Sequence, residues 1–191
     1  MTKRVRVAVV GCGLVSQYHL RAWQAAGAEI EISGALYADA LLKCEAFQEQ
    51  SGAIGIHAFD SALTVAGQGT LALEWQEQAA DLDTVLVAVG GGGLISGLAL
   101  GFEGPTKIIA VEPDGTRALN AALKAGRPTK VSVKSLAADS LGAERIGTLN
   151  YEICKDLVDQ SVLVPDSAIR EAVSLLWARF QIAAEPGGAA A

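Results

Sequence analysis

The fold of this chain is decided by one stretch, TVLVAVGGGGLISG, which spans residues 84–97. A nearly continuous aliphatic run comes first, four consecutive glycines follow, and the last residues open a helical pattern. A strand without polar alternation is typical of a parallel sheet that is covered on both faces. A strand that passes through a glycine turn into a helix therefore predicts an α/β fold, with a mostly parallel sheet and flanking helices.

The same alternation extends in both directions from this stretch. Apolar runs predict strands over residues 5–10, 28–32, 54–58, 83–89 and 107–111. Helical periodicity predicts helices over residues 16–26, 38–50, 67–78, 117–125, 150–158 and 166–180, with loop and short helix mixed over 127–148. In the last helix one face is expected to be buried, and it carries Ile169, Val173, Leu176, Trp177 and Phe180.

Composition excludes several classes of partner. The 191 residues are 51% hydrophobic and carry a formal net charge of −6, which argues against nucleic acid and against an anionic membrane surface as partners. No apolar run approaches the length of a membrane span. Cys12, Cys44 and Cys154 are odd in number and lack metal-ligand spacing, so we expect reduced thiols in a cytoplasmic protein.

The glycine run predicts an anion site. Glycines bring several backbone N–H groups onto one point without Cβ obstruction, and the helix that follows adds the positive end of its dipole. Gly90, Gly91, Gly92, Gly93 and the Leu94 amide are the candidate donors to a phosphate. The alternative interpretation is a turn selected only for close packing of strand against helix. No Lys-Ser/Thr pair follows the glycines, so the loop is not a Walker A motif.

Further motifs occur in a fixed order around this loop. They are HAFD at residues 57–60, VAGQGT at 65–70, VEP at 111–113, ADSLGA at 138–143 and EPGGAA at 185–190. Together with the glycine loop they resemble the serine/threonine dehydratases (ammonia-lyases), which use pyridoxal phosphate (PLP) and have fold type II. The resemblance covers about residues 27–191.

This resemblance implies a cofactor, a substrate class and roles for particular residues. Gly90–Gly93 and Leu94 would cradle the phosphate of PLP, Glu185 would lie near its ring, and Gly142 would approach its edge. The reaction implied removes water and then ammonia from serine or threonine and leaves a 2-oxo acid. A small amino acid is the expected substrate, and a homo-oligomer is the expected assembly.

A metal is not expected in this chain. Some dehydratases bind a divalent cation through a glutamate that matches Glu112, with oxygens from the positions of Thr116 and Ala118. Ala118 offers no side-chain ligand. His19 and His57 also lack a cysteine or carboxylate partner at metal-ligand spacing.

The catalytic lysine of the resembled enzymes has no recognisable counterpart. Their Schiff-base lysine lies early in the chain beside a phenylalanine, and none of the lysines here, at positions 3, 43, 107, 124, 130, 134 and 155, has that context. Their Ser-Gly-Asn-His loop is missing, and the sequence ends at Ala191, before their last strand. We therefore expect a truncated or chimeric dehydratase that does not turn over as this chain. The alternative is a non-catalytic module that binds phosphate or PLP or is purely structural.

A second resemblance concerns the start of the chain. The string VRVAVVGCGLVSQYH, residues 5–19, is similar to the start of glucose–fructose oxidoreductase-like NAD(P) dehydrogenases, with Gly11 and Gly13 as candidate cofactor contacts. Ser16 stands where a third glycine is usual, so NAD(P) binding is not expected, and a nicotinamide-dependent oxidoreductase fragment stays a third alternative. The expected organisation is a small Rossmann-like lobe over residues 1–58 and a PLP-phosphate-binding large lobe over 59–191.

Overall fold

A computed structural model describes residues 16–27, 30, 37–102 and 104–191. The predicted strand over residues 5–10 and the candidate residues Gly11 and Gly13 lie outside these ranges, as does all but one residue of the predicted strand over 28–32. Internal contacts divide the chain into two units, residues 1–56 and residues 57–191. Each unit is described by itself.

The described part of the first unit consists of two helices. Helix α1 spans Ser16–Ala25 and helix α2 spans Tyr37–Ser51, which confirms both predicted helices. Residues 54–58 were predicted as a strand, and that prediction is wrong, because they have no regular structure. Ile54 and Ile56 are 91% and 88% exposed, so no strand or helix in the described part of the chain pairs with or covers this short apolar run.

The second unit is built on a parallel three-stranded sheet. Its strands are β1, Thr84–Ala88, β2, Lys107–Pro113, and β3, Gln160–Val164, in the order β1-β2-β3. Val85 of β1 is in register with Ile108 of β2, and Val111 of β2 is in register with Val162 of β3. The predicted α/β class with parallel strands is confirmed, whereas β3 was not predicted.

Six helices accompany the sheet. They are α3, Ala62–Gln78; α4, Gly93–Gly101; α5, Ala118–Ala125; α6, Ala138–Leu141; α7, Thr148–Leu157; and α8, Asp166–Phe180. Helix α3 begins five residues before its predicted start because Ser61 caps it: the Ser61 hydroxyl accepts from the Thr64 amide at 3.3 Å. No helix within the described ranges is long and apolar enough to cross a membrane.

The main core lies where β1 and β2 meet α4, α5 and α7. Its large buried members include Val87, Ile95, Leu98, Ile108, Leu119 and Ile146. Helix α3 packs on α4 through glycines: a Cβ on Gly97 would lie 2.6 Å from the Val65 carbonyl oxygen, and one on Gly101 would lie 2.7 Å from the Gly69 carbonyl oxygen. This close approach fixes α4, and with it the glycine loop from which α4 starts.

Helix α8 corrects one predicted core face. Ile169 is buried with Ala137, Leu141 and Ala190 in a second, smaller cluster. Trp177 and Phe180 are 55% and 63% exposed, so their predicted burial is wrong. Helical spacing identifies residues that share a face, but burial also needs a neighbouring element, and α8 has its buried residue only near its beginning.

Candidate functional site

The glycine loop connects the end of β1 to the start of α4. Val89 still donates to the Val111 carbonyl at 3.0 Å, so the ladder ends only one residue before the glycines. Gly92 is the N-cap of α4 and has φ 93°, a left-handed conformation that favours glycine. The first bond of the helix runs from the Ser96 amide to the Gly92 carbonyl at 3.0 Å. The loop is therefore a tight turn that converts strand to helix within four residues.

Each glycine of the loop is packed against another part of the unit. A Cβ on Gly90 would lie 3.0 Å from the backbone of Leu141, and one on Gly93 would lie 3.0 Å from the backbone of Phe59. A Cβ on Gly91 would overlap the Phe59 ring, and one on Gly92 would lie 2.9 Å from the Asn150 Cβ. Close packing by itself thus requires all four glycines, so glycine content does not distinguish an anion site from a packed turn.

The backbone amides of the loop are the groups that an anion would use. Within the described residues, the N–H groups of residues 90–95 donate no hydrogen bond to any other group. By contrast, the Gly91 carbonyl accepts twice, from the Gly147 amide at 3.1 Å and from Asn150 Nδ2 at 2.9 Å. The Gly91 carbonyl and the Gly92 amide belong to the same trans peptide, in which C=O and N–H point in opposite directions. Because the carbonyl points toward its two donors at α7, the Gly92 amide points away from α7. A row of unpaired donors at a helix start is an anion-binding arrangement.

The residues that carry these amides line a cavity of about 350 Å³. Its lining consists of Ala58, Phe59, Gln68, Ser140, Leu141 and residues 88–95. None of these lining residues is charged, so an anion placed there would be held by the loop amides, by the positive end of α4 and by neutral polar side chains. The cavity has the size of a small-molecule site.

The structure brings some of the predicted site residues together and separates others. Gly90–Gly93 and Leu94 all line the cavity. Gly142 does not line it, although its neighbours Ser140 and Leu141 do. Glu185 is exposed and does not line it; its carbonyl accepts from the Ala189 amide at 3.1 Å, within the turn that follows α8.

Two residues that line the cavity belong to motifs in the sequence, but the motifs did not predict a role for them. Phe59 covers Gly91 and Gly93, and Gln68 lines the cavity from α3. Their place in the short motifs at residues 57–60 and 65–70 was the available signal. What the sequence did not contain was the contact that brings these motifs against the glycine loop.

Glu112 is a fully buried carboxylate that caps a helix. Oε1 accepts from the Leu119 amide at 2.8 Å and Oε2 accepts from the Asn120 amide at 2.7 Å, at the start of α5. Burial raises the pKa of Glu112 to about 7, against the opposing effect of these hydrogen bonds and of one with Ser161. The hydroxyl oxygen of Thr116, four residues later, is also buried and has no hydrogen-bond partner among the described residues. Among the described residues, no three His, Cys, Asp or Glu side chains form a cluster that could hold a metal ion.

A parallel α/β fold with a glycine loop at the start of a helix is typical of proteins that bind a phosphorylated small molecule. Comparison with known families agrees with this class. The family model described as "Pyridoxal-phosphate dependent enzyme" matches residues 3–191, and the chain belongs to this family. The match begins before Gly11 and Gly13, and no comparison supports the resemblance of that segment to NAD(P) dehydrogenases.

Individual relatives show which members of this family the chain is similar to. The chain is 39% identical over 166 residues to the biosynthetic L-threonine dehydratase of Haemophilus influenzae, covering 85% of this chain and 32% of the relative. It is 34% identical to the L-threonine ammonia-lyase of Thermotoga maritima, covering 85% of this chain and 41% of the relative. The structure of maize serine racemase, at 31% identity, superposes with a TM-score of 0.87 over 98% of this chain and 57% of that one.

The predicted relation to PLP-dependent serine/threonine dehydratases and the predicted fold type II architecture are thereby confirmed. The chain nevertheless spans only about a third to two fifths of the length of these two curated relatives.

Proposed function

We propose that the glycine loop of this chain holds the phosphate of pyridoxal phosphate, and that the protein acts as an ammonia-lyase on serine or threonine. The observation that carries the proposal is that residues 90–95, whose amides have no acceptor among the described residues, all line one cavity. The residues present fit the group, because the loop amides supply hydrogen-bond donors and no negatively charged side chain lines the cavity. Each charge-assisted hydrogen bond to phosphate would contribute about 1.5–3 kcal/mol.

In this proposal the residues of the chain bind and orient the cofactor. The amides of Gly91, Gly92, Gly93 and Leu94 would donate hydrogen bonds to the phosphate oxygens, and the positive end of α4 would add to their field. Ser140 and Gln68 present neutral polar groups to the same cavity. When bound, PLP supplies an electron sink for the loss of the α-proton of an amino acid. The substrate would then lose its hydroxyl as water and its nitrogen as ammonia, with one water consumed in the final hydrolysis.

Further assignments belong to the proposal, and they rest either on the family resemblance or on the composition and organisation of the sequence. Gly142 would lie near the edge of the cofactor and Glu185 near its ring. The protein would work in the cytoplasm as a homo-oligomer on a small amino acid, without nucleic acid or membrane as partner. The chain would consist of a lobe over residues 1–58 and a phosphate-binding lobe over 59–191.

A second candidate function is a module that binds phosphate or PLP without turnover. One observation favours it: none of the described residues that line the cavity is a lysine. Covalent PLP chemistry needs a lysine amine both to anchor the cofactor and to carry protons. Without that amine the amides would bind a phosphorylated cofactor reversibly.

The phosphate site is tested with pyridoxine 5′-phosphate, which has the phosphate but no aldehyde and therefore cannot bond to a lysine. Calorimetric titration is expected to detect its binding, whereas pyridoxine, which lacks the phosphate, binds at least tenfold more weakly. Equal affinity for the two compounds, or no binding of either, would overturn the site.

Pyridoxal phosphate then separates the two candidate functions. After borohydride reduction, one adduct mapped by mass spectrometry to a single lysine supports the ammonia-lyase. Reversible binding without an adduct supports the non-catalytic module.

A further inference from the structure

The segment at residues 57–60, in which Phe59 lines the cavity and packs against the glycine loop, is organised by a histidine. His57 Nδ1 accepts from two backbone amides, that of Phe59 at 3.2 Å and that of Asp60 at 2.9 Å. Acceptance from the amides two and three residues later is the pattern of a turn closed by an Asp or Asn side chain. Because an amide N–H can only donate, Nδ1 carries a lone pair here and the ring hydrogen lies on Nε2.

The turn is tied to its surroundings on both sides. The Thr64 hydroxyl donates to the His57 carbonyl at 2.7 Å, which links the turn to the first residues of α3. The Asp60 carboxylate accepts from the Thr148 and Leu149 amides at 2.9 and 3.0 Å, which links it to the start of α7. These contacts fix where the turn lies, and the two bonds to Nδ1 fix its internal shape.

That shape decides the position of Phe59. The Phe59 ring stands edge-on to the His57 ring, with centroids 4.8 Å apart and an interplanar angle of 84°. It occupies the space in which a Cβ on Gly91 would lie, and the Phe59 backbone occupies the corresponding space beside Gly93. Phe59 therefore fills the side of the loop that its glycines leave open.

A buried amide joins the turn to the glycine loop directly. Asn150 Nδ2 donates to the Phe59 carbonyl and to the Gly91 carbonyl, each at 2.9 Å. Asn150 is fully buried and its Oδ1 has no partner among the described residues, so both hydrogens of this amide serve to hold the two carbonyls. A displacement of Phe59 would therefore be transmitted through Asn150 to the Gly91–Gly92 peptide, and both of these glycines line the cavity.

We propose that His57 is a positioning residue of the phosphate site, which acts by closing the turn that holds Phe59 and, through Asn150, the Gly91–Gly92 peptide. The inference rests on the proposed phosphate site. Its consequence is that the loop amides are arranged before the phosphate arrives, so that binding does not have to order them. Loss of the acceptor at Nδ1 would remove the two hydrogen bonds that close the turn and would let the wall of the cavity move.

Variants of His57 distinguish the effect of a hydrogen-bond acceptor at the position of Nδ1 from the effect of a side chain that lacks an acceptor there. In His57→Asn the side-chain oxygen falls near the position of Nδ1 and can close the same turn. In His57→Gln the longer side chain carries its amide near the position of Nε2, and in His57→Leu there is no acceptor. The probe is pyridoxine 5′-phosphate, titrated by calorimetry into the full chain, with circular dichroism and urea unfolding to establish that each variant folds.

The expected result is an affinity within about threefold of the parent for His57→Asn and a loss of about tenfold or more for His57→Gln and His57→Leu. Equal affinities in the parent, His57→Gln and His57→Leu would overturn the inference and leave the phosphate site intact. Should His57→Leu fail to fold, the comparison of His57→Gln with His57→Asn decides, and equal losses in both overturn the inference. No binding by the parent protein would overturn the phosphate site and this inference with it.

Discussion

At the scale of single residues, Glu112 is a buried carboxylate with no basic side chain among its hydrogen-bond partners. Its partners are two amides at the start of α5 and the Ser161 hydroxyl, which itself accepts from Asn120 Nδ2 at 3.0 Å. These dipoles favour the charged form, but removal from water opposes it more strongly, and burial therefore leaves the pKa raised to about 7. The cap is thus present in two protonation states near neutral pH.

The raised pKa of Glu112 predicts that stability decreases as pH rises. A carboxyl whose pKa is about 7 when folded and 4.5 when unfolded binds its proton more tightly in the folded state. Its contribution is fully present below pH 4.5 and is lost as pH rises through 7. Between pH 5 and pH 8 we expect the free energy of unfolding in urea to decrease by about 2–3 kcal/mol from this residue.

The matched variant for this prediction is Glu112→Gln, which keeps the shape and cannot titrate. It should show a flatter dependence of unfolding free energy on pH over the same range. An unchanged slope in the variant would assign the pH dependence to other groups.

Gly92 and Gly126 form a second matched pair at this scale. Both have positive φ, 93° and 69°, but a Cβ on Gly92 would meet Ile146 and Asn150, whereas Gly126 has open space. Gly126→Ala should lower the free energy of unfolding by about 1 kcal/mol, and Gly92→Ala by roughly 2–4 kcal/mol. Urea unfolding measures both losses, and only Gly92→Ala should also weaken binding of pyridoxine 5′-phosphate. Equal effects of the two substitutions would contradict the packing described for the loop.

At the scale of elements, α7 depends on a residue outside its own sequence. Gly147, its N-cap, provides no side-chain cap, and the first amides of the helix are paired instead by the carboxylate of Asp60, nearly ninety residues earlier. A negative charge at this end of a helix is also favoured by the helix dipole. The start of α7 and the wall of the cavity are therefore held by the same acidic residue.

Removal of the Asp60 charge should loosen α7 specifically. We expect Asp60→Ala to lower the free energy of unfolding by about 1–2 kcal/mol and to speed hydrogen exchange at the Thr148 and Leu149 amides. Asp139→Ala, at an exposed carboxylate in the first turn of α6, serves as control and should change both quantities little. Protection at Thr148 and Leu149 that survives Asp60→Ala would show that the cap is dispensable.

The elements differ in how well sequence alone predicts them, and the differences have physical causes. Strands β1 and β2 are continuous aliphatic runs and were predicted, whereas β3 begins with the polar pair Gln160–Ser161 and is only half-buried, which weakens its apolar signal. Residues 54–58 carry a strand-like pattern without a partner strand. The exposed Trp177 shows the same limit for helices, because periodicity does not reveal what lies opposite a face.

The candidate site, like the fold, was predictable from the sequence only in part. Four consecutive glycines between a strand and a helix give a local signal, so Gly90–Gly93 and Leu94 were assigned to it from sequence, and the structure places them on one cavity. The contributions of His57 and Asn150 depend on contacts between residues far apart in the chain, and no local pattern encodes them. Their roles therefore required the three-dimensional structure.

At the scale of the whole molecule, every contact described for the phosphate site lies within the second unit. The turn at His57 begins that unit, and the glycine loop, α7 and the segment at Ser140 all follow it. Expressed alone, residues 57–191 should therefore fold and bind pyridoxine 5′-phosphate within about threefold of the full chain. Circular dichroism and calorimetry test this, with residues 62–191, which lack the turn, as the control. A folded 57–191 fragment that binds nothing, beside a full chain that binds, would mean that residues before 57 contribute to the site.

The lack of a charged residue in the lining of the proposed phosphate site has a consequence for the rate at which phosphate would associate. Proteins that attract their ligands over long distances do so with charged side chains around the entrance, and salt slows that encounter. Here the amides act only at contact range, while the chain as a whole carries a formal net charge of −6. An approaching phosphate is therefore repelled until it arrives, and added salt should quicken its association with the loop.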